Sequence, residues 1–481
     1  MRRAAIVMPM RTPVGLPGGA LAAVAPQRLI STVLSAVVGR SGIDPYRIEQ
    51  LVTAVPDQRA VRAAVPLAGL PPTVGEFPLG AGPGGGLRAL ITAAMMVQTG
   101  SADVVLALGA EFPCAPKQPL GPAGPGPLGA GPLPRGPRNG GPGAASGLVL
   151  SGGGAPLSSP WPNGAQRVSP PVPNGAAMGT NGVAMGVDTG EQLAVWAAAE
   201  GVRRPQESKY ADLLAQHYGI SRLEADEFAA ASHRRAARAR RQGIFGEETA
   251  PVVVNAIAGD VNSGVVQLVD RDEGLRDDVS ARAFAALEPF LPGGVTTVGN
   301  SSTRTLAASA CLVVAEDRLV DLGLEPLGYL VGWAAATGEP DQAVPAAAPA
   351  IEKALGRSGF GLEALDLLEI DETSAVEVLA LTRLWEREGW EFDPAERLNV
   401  HGAAIALGDP GGAAGLRMVT TLLHELARSE GGYGLAAIPT GPSEALAAVF
   451  ESAYTEQVAP TPRGARFHGA RPPRRFGRHR A

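Results

Sequence analysis

Two stretches of this chain occur twice. GRSGIDPYRIEQLVTAV, beginning at Gly39, returns as GRSGFGLEALDLLEIDE at Gly356, 317 residues on. GLRALITAAMMVQTGSADVVLALGAE, beginning at Gly86, returns as GLRMVTTLLHELARSEGGYGLAAIPTG at Gly415, 329 residues on. Each copy of the first pair reads as a helix end, a Gly-containing turn, a short helical piece and an apolar strand. Each copy of the second reads as a Gly, an amphipathic helix of about four turns, a polar turn and a buried strand. One matched pair could arise by chance. Two pairs in the same order indicate a duplicated α/β unit. Apolar strands alternating with helices predict mainly parallel sheets covered on both faces.

The 481 residues are 45% hydrophobic and 18% charged, enough to bury a large core across two or three domains. The 63 Gly and 43 Pro are unevenly spread. Residues 116–174 are mostly Gly, Pro, Ala and Ser, which cannot offset their ordering entropy by burial, so a flexible insertion is expected there. A second such stretch, basic and proline-rich, runs from Val458 to the end. After Glu456 there are seven Arg and no Asp or Glu, so against a total of −6 the body stands at −13. No run of 18 apolar residues occurs, and MRRAAIVMPMRTPVG lacks a signal peptide's apolar centre. The two cysteines, Cys114 and Cys311, are too few for a disulfide framework or a structural zinc site. A cytoplasmic protein with no membrane span and no metal is the expectation.

FPLGAGPGGGLRAL, from Phe77 to Leu90, reads as a strand end, a glycine-rich turn and a helix start. Such turns present a nucleophile or hold a phosphate on backbone N–H groups. This one contains no Ser, Cys, Thr or Lys, and Pro83 lies at its centre. A dinucleotide reading of Gly80, Gly82 and Gly85 is weak, because the only acidic residue near the expected distance, Asp103, precedes its strand. Between the repeats, Ser221 and Glu224 have capping-box spacing and open a helix carrying Arg234, Arg235, Arg238, Arg240 and Arg241. That face has two readings, a solvated basic surface or a contact for an anionic ligand.

With these segments in view, the chain resembles the thiolase family. The resemblance rests on AAIVMPMRTPVGLPGGAL, YGISRLEADEFAAASHRRA, VTTVGNSS and NVHGAAIALGDPGGAAGLRMVTTLLHEL, which occur in family order from about Arg2 to Glu451. It implies a duplicated five-layered αβαβα fold with a loop domain inserted in the first half. The implied divisions are 1–115 and 251–320 for the N-terminal half, 116–250 for the loop domain, 321–457 for the C-terminal half and 458–481 for the tail.

Thiolases transfer acyl groups to or from coenzyme A, and the resemblance locates four catalytic positions. The family's nucleophilic Cys, activated at a helix N-terminus, is Pro83 here. Its second Cys, the acid/base, is Pro439, followed by Gly441 of the same motif. Its His is Asp409, in LGDPGG. Its motif Asn is Asp371, in IDETSA, where only Glu372 is retained. Pro has no N–H, so Pro83 also removes a donor from the oxyanion hole, although a helix accepts Pro in its first turn. Asp409 brings a carboxylate to a place where negative charge must develop. Loss of a nucleophile costs about 10⁶-fold in kcat in well-studied triad enzymes, and loss of one hole donor roughly 10²–10³. Cys114 and Cys311 read as buried fillers. His401 reads either as a loop or core histidine or as a new base beside Asp409 or Asp371.

The residues implied for the pantetheine channel are Met185, Phe290 and Ser302, with Ala184 replacing a family His. The expectation is a non-catalytic thiolase-like protein that needs no cofactor. It binds CoA or acyl-CoA, or pairs as a homodimer or as a heterodimer with an active thiolase-type subunit. Nucleic acid would be met only through the tail. The alternatives are altered chemistry, acyl-CoA hydrolysis or decarboxylation, and residual acyl transfer.

Overall fold

The structure of the chain, a computed structural model, describes residues 2–112, 205–255, 266–277, 279–338, 344–390, 393–441 and 443–454. Cys114, the Gly/Pro-rich segment 116–174, Ala184, Met185 and the tail from Val458 lie outside the described residues.

The first half contains β1 (Ala4–Arg11), α1 (Pro26–Ser41), β2 (Gln50–Ala54), α2 (Gln58–Leu67), β3 (Gly75–Leu79), α3 (Gly85–Thr99) and β4 (Val104–Glu111). The chain then passes through α4 (Pro205–Tyr218), α5 (Arg222–Arg241) and a two-stranded ribbon of β5 (Val252–Asn255) and β6 (Val266–Val269). It returns to the sheet as β7 (Ala307–Ala315). The second half contains β8 (Gly328–Thr337), α6 (Ala347–Ser358), β9 (Leu367–Ile370), α7 (Ala375–Arg387), α8 (Ala414–Arg428), β10 (Tyr433–Pro439) and β11 (Glu444–Ser452).

The strand order is β3-β2-β4-β7-β1-β8-β11-β10-β9. The duplication is visible in it: β2-β4-β7-β1 has the same connectivity as β9-β10-β11-β8. In each half the first two strands are parallel and the next two pairings antiparallel. The two half-sheets meet only at Ala5↔Tyr329 and Ile6↔Gly328. The expectation of mainly parallel sheets is corrected here, because most pairings are antiparallel. In the second half, β10 returns as β11 through residues 440–443, and so short a connection can join only antiparallel strands. Apolar patterning reports that a strand is covered on both faces, not which way it runs.

Side-chain alternation sorts the core into layers. Leu106 and Leu108 of β4 face outward with Leu312 and Val314 of β7, and pack against Leu29 and Val33 of α1 and Val61 of α2. Val105, Ala107 and Val313 face inward onto Leu87, Leu90 and Ile91 of α3. The same central layer holds Leu416, Val419 and Leu422 of α8, backed by Ile438, Ala448 and Phe450. Leu368, Ile370 and Leu435 cover the far face against α6 and α7. Each large aliphatic buried in this way contributes roughly 1.5–3 kcal/mol. The result is five layers, α-β-α-β-α.

The two repeated GLR motifs lock the centre. A Cβ at Gly86 would lie 2.8 Å from the Gly412 carbonyl oxygen and 3.1 Å from the Leu416 nitrogen. A Cβ at Gly415 would lie 2.7 Å from the Leu87 nitrogen. Equivalent glycines of the two copies therefore let α3 and α8 touch backbone to backbone, which brings the loops at their N-termini together.

Candidate functional site

The turn after β3 leads into α3 through Gly82 at φ 129° and Gly84 at φ 73°, with the Gly85 N–H donating to the Gly82 carbonyl. Helical geometry begins at Gly85, with Gly84 as the N-cap. Pro83 therefore stands ahead of the cap rather than in the first turn, exposed at the mouth of the junction. Opposite it is the β10–β11 hairpin: a Cβ at Gly84 would fall 2.5 Å from Thr440 Cγ2. Pro439 closes β10 opposite Ala445, and Gly441 follows in the hairpin. Two further loops converge here. The Asp371 N–H donates to the Ala437 carbonyl beside the hairpin, at 2.9 Å. The loop carrying Asp409 threads Gly412 against β2 and β4, where a Cβ would lie 2.6 Å from the Ala110 carbonyl oxygen. Pro83, Asp371, Asp409 and Pro439 are thus gathered at the junction of the halves, and no thiol or imidazole stands at any of the four.

The junction is rich in carboxylates. Asp371 is 5% exposed. Its Oδ2 accepts from the Thr373 hydroxyl at 2.7 Å, and its Oδ1 has no partner. Burial first, and the Asp409 charge second, push its pKa up to about 7. Asp409 Oδ1 accepts from the Gly411 N–H at 2.9 Å, and its backbone N–H donates to the Thr303 carbonyl. Glu111, at the end of β4, accepts from the Gly412 N–H at 3.2 Å, and burial and the Asp409 charge raise its pKa. Exposed Arg304, bridged through its backbone to Asp409, opposes that rise. Glu372 is buried and satisfied by Ser232 Oγ at 2.7 Å, Asn399 Nδ2 at 3.0 Å and the Ile405 N–H at 3.1 Å. It organises loops rather than facing a ligand.

The remaining expected residues divide. His401 is buried, and its Nε2 lies 2.7 Å from Glu425, at an edge contact with Phe245. Its partner is neither Asp409 nor Asp371, so the reading of His401 as a new base is corrected. Helix α8 carries Glu425 to it, a long-range meeting no local pattern contains. Cys311 faces the central layer in β7, and burial pushes its thiol up to about 12. Ser302 is buried, with its N–H donating to the Thr373 carbonyl at 3.1 Å. Phe290 is half-buried on the loop where its N–H donates to Thr296.

The capping box of α5 is present, with the Ser221 N–H donating to Glu224 at 2.8 Å. Its arginines are mostly tied down. Arg235 and Arg238 donate to carbonyls of the 395–400 loop, and Arg240 and Arg241 pair with Asp277. Exposed Arg234 has no ion pair among the described residues. Arg234, Arg235, Arg238, Arg241, Asp277 and Ala231 line an open groove of about 510 Å³ with a net positive wall. Solvated and structural roles thus coexist with a surface fit for an anion.

Sequence reading missed three charged residues near the junction. Glu111 ends a strand that otherwise reads as pure core. Glu369 lies on β9 two residues before Asp371, and burial pushes it up to about 8 while Arg417 opposes the rise. Arg417, on α8, is fully buried, and none of its guanidinium nitrogens has a partner among the described residues. The i, i+2 spacing of Glu369 and Asp371 was the one signal available.

Two duplicated α/β halves whose loops meet at the ends of two touching central helices define the class, a thiolase-like α/β protein. Family models for the thiolase N-terminal domain match residues 4–113 and 178–317, and for the thiolase C-terminal domain residues 324–452. The chain belongs to the thiolase family. An acetyl-CoA acetyltransferase of Chromobacterium violaceum is 32% identical over 453 residues, 93% of this chain and 99% of that protein. A probable acetyl-CoA acyltransferase of Staphylococcus aureus is 30% identical over 460 residues, with the same coverage. The crystal structure of the Bacillus anthracis acetyl-CoA acetyltransferase superposes with a TM-score of 0.70 at 27% identity, over 94% of this chain and 99% of that one. Human mitochondrial 3-ketoacyl-CoA thiolase in complex with CoA gives 0.69 at 23%, over 94% and 98%, a likeness of fold alone.

Proposed function

We propose that this thiolase-family chain is non-catalytic and binds CoA or an acyl-CoA as a subunit of a dimer. One observation carries the reading: the four positions to which the family resemblance assigns catalytic groups hold Pro83, Asp371, Asp409 and Pro439. Neither proline can form a thiolate or offer an N–H. Two aspartates at the junction oppose the negative charge that acyl transfer develops. The described cysteine, Cys311, is buried with a raised pKa and is no substitute nucleophile. Ligand binding is supported by the groove beside Arg234 and Arg238, which suits the phosphates of CoA, and by retention of Phe290 and Ser302. The relatives named as acyltransferases weigh against the loss of catalysis without deciding it.

Pairing is supported by β3, an edge strand whose outer edge is unpaired among the described residues, with Phe77 44% exposed on it. Such an edge invites another strand. The partner is a second copy or an active thiolase-type subunit.

Thiolysis of acetoacetyl-CoA by the purified protein tests the central claim. No turnover above background is expected. An acetyl-enzyme intermediate or sustained turnover would overturn it. Position 83 changed to Cys should not restore activity, because positions 371, 409 and 439 remain altered. A second reading, hydrolysis of acyl-CoA, is favoured by one observation: a buried carboxyl at Asp371 poised near neutrality could draw a proton from water. Release of free CoA from a panel of acyl-CoAs, lost in Asp371→Asn, would select it.

A further inference from the structure

Strand β3 closes one end of the sheet, and only its inner edge is paired among the described residues. It runs parallel to β2, from Gln50↔Gly75 to Ala54↔Leu79. The Gly75 N–H donates to the Glu49 carbonyl at 3.1 Å, which turns the main chain of Gly75 toward β2. Both main-chain groups of a strand residue point to one side, and successive residues alternate. Phe77 and Leu79 therefore also bond toward β2, while Glu76 and Pro78 face outward. The free edge offers an N–H and a carbonyl at Glu76 but only a carbonyl at Pro78, since proline has no N–H. Phe77 and Pro78 have exposed side chains, whereas β4 is buried along nearly its whole length.

We infer that this edge fits a strand of a non-identical thiolase-type chain, so that the protein is one half of a heterodimer rather than of a self-paired dimer. The inference rests on the pairing through β3 proposed above and selects between its two partners. Two copies related by a two-fold axis set their β3 strands antiparallel. With the axis at Phe77, Glu76 of each copy lies opposite Pro78 of the other. Each such pair should exchange two hydrogen bonds. The one that Pro78 would donate is missing in both, so two Glu76 carbonyls are orphaned. With the axis at Glu76, two Glu76 side chains lie directly opposite, and like charges so placed are destabilising. The ion pair of Glu76 among the described residues is a loose one, 3.5 Å from Nε of exposed Arg62, and its Oε1 has no partner there. That register also sets Pro78 opposite Val74, whose N–H is taken by the Pro71 carbonyl at 3.1 Å. With the axis at Pro78, the central pair has no donor at all.

A non-identical strand escapes half of this loss. If it carries an N–H at every outward position and no acid opposite Glu76, it meets Pro78 once. One carbonyl is then orphaned instead of two, and the repulsion is gone. A buried acceptor without a donor corresponds to roughly 5- to 100-fold in affinity.

Pro78→Ala restores the outward N–H without altering the bonds to β2, so the variant serves as a donor-complete partner. Sedimentation equilibrium on the full chain gives the self-affinity of the parent and of the variant. Labelled parent in trace amounts, titrated with the variant, gives the mixed pair. The parent pair is expected to be the weakest, the mixed pair roughly fivefold tighter or more, and the variant pair tighter again by a similar factor. Phe77→Asp added to Pro78→Ala should remove the gain, which puts the seam on β3. Equal affinities for the three pairs overturn the inference. If Phe77→Asp still weakens those pairs, pairing through β3 stands without a preference for either partner; if it has no effect, that pairing falls as well. Absence of association in all three pairs overturns both.

Discussion

Asp371→Asn should make this protein more stable, and only above a certain pH. The Asp371 carboxyl is 5% exposed, and its pKa is carried from 3.8 to about 7, by burial first and the Asp409 charge second. The unfolded chain releases this proton near pH 4, while the folded chain holds it to about pH 7. Between those values the folded state binds the extra proton, so stability falls as pH rises through the window. Above about pH 7 both states are ionised and the whole cost is present. At about 1.4 kcal/mol per pH unit, the plateau is on the order of 4 kcal/mol. Asn has no charge to desolvate, and its side-chain oxygen can still accept from the Thr373 hydroxyl.

Urea unfolding followed by tryptophan fluorescence, run at pH 4, 6 and 8, checks this. The variant should match the parent at pH 4, exceed it at pH 6 and exceed it by the full amount at pH 8, with unchanged m. A gain that is the same at all three pH values, or a loss at pH 8, would refute the reasoning.

Further expectations follow from other parts of the structure. Arg11 is fully buried, with Nε on Glu248 at 2.6 Å and a bidentate pair to Asp272 at 2.7 and 3.0 Å. Burial alone would lower its pKa, but those partners carry it above the ordinary arginine value. Arg11→Ala strands two buried carboxylates and should cost about 3–5 kcal/mol, and Arg11→Lys should recover only part, since an ammonium cannot bridge Asp272 twice. Chemical denaturation measures both. Gly415→Ala drives a methyl into the Leu87 backbone and should cost about 1–3 kcal/mol, read as a lowered melting temperature, whereas Gly39→Ala, with open space around its Cβ position, should not. Phe77→Asp should shift the protein toward monomer by light scattering if the β3 edge is the dimer seam.

The sequence by itself determined the duplication and the family. Each depends on residue identity and short-range order: matched segments and a long signature around Gly415. It also placed the capping box of α5, because three residues of spacing decide that contact. Tertiary structure decided what two distant pieces do to one another. Arg88 and Arg417 occupy the same place in the two copies of GLR, yet Arg88 is exposed and Arg417 fully buried. Helix α8 lies between both halves and the residue-248 segment, whose Glu248 accepts from Thr421, whereas α3 leaves the corresponding flank open. The partner of His401 is Glu425 for the same reason. The carboxylates at the junction could be counted in the sequence. Only the meeting of four loops at the helix N-termini showed Asp409 close enough to Asp371 to raise the cost of ionising it. A pKa depends on through-space distance and burial, and neither is a property of position along the chain.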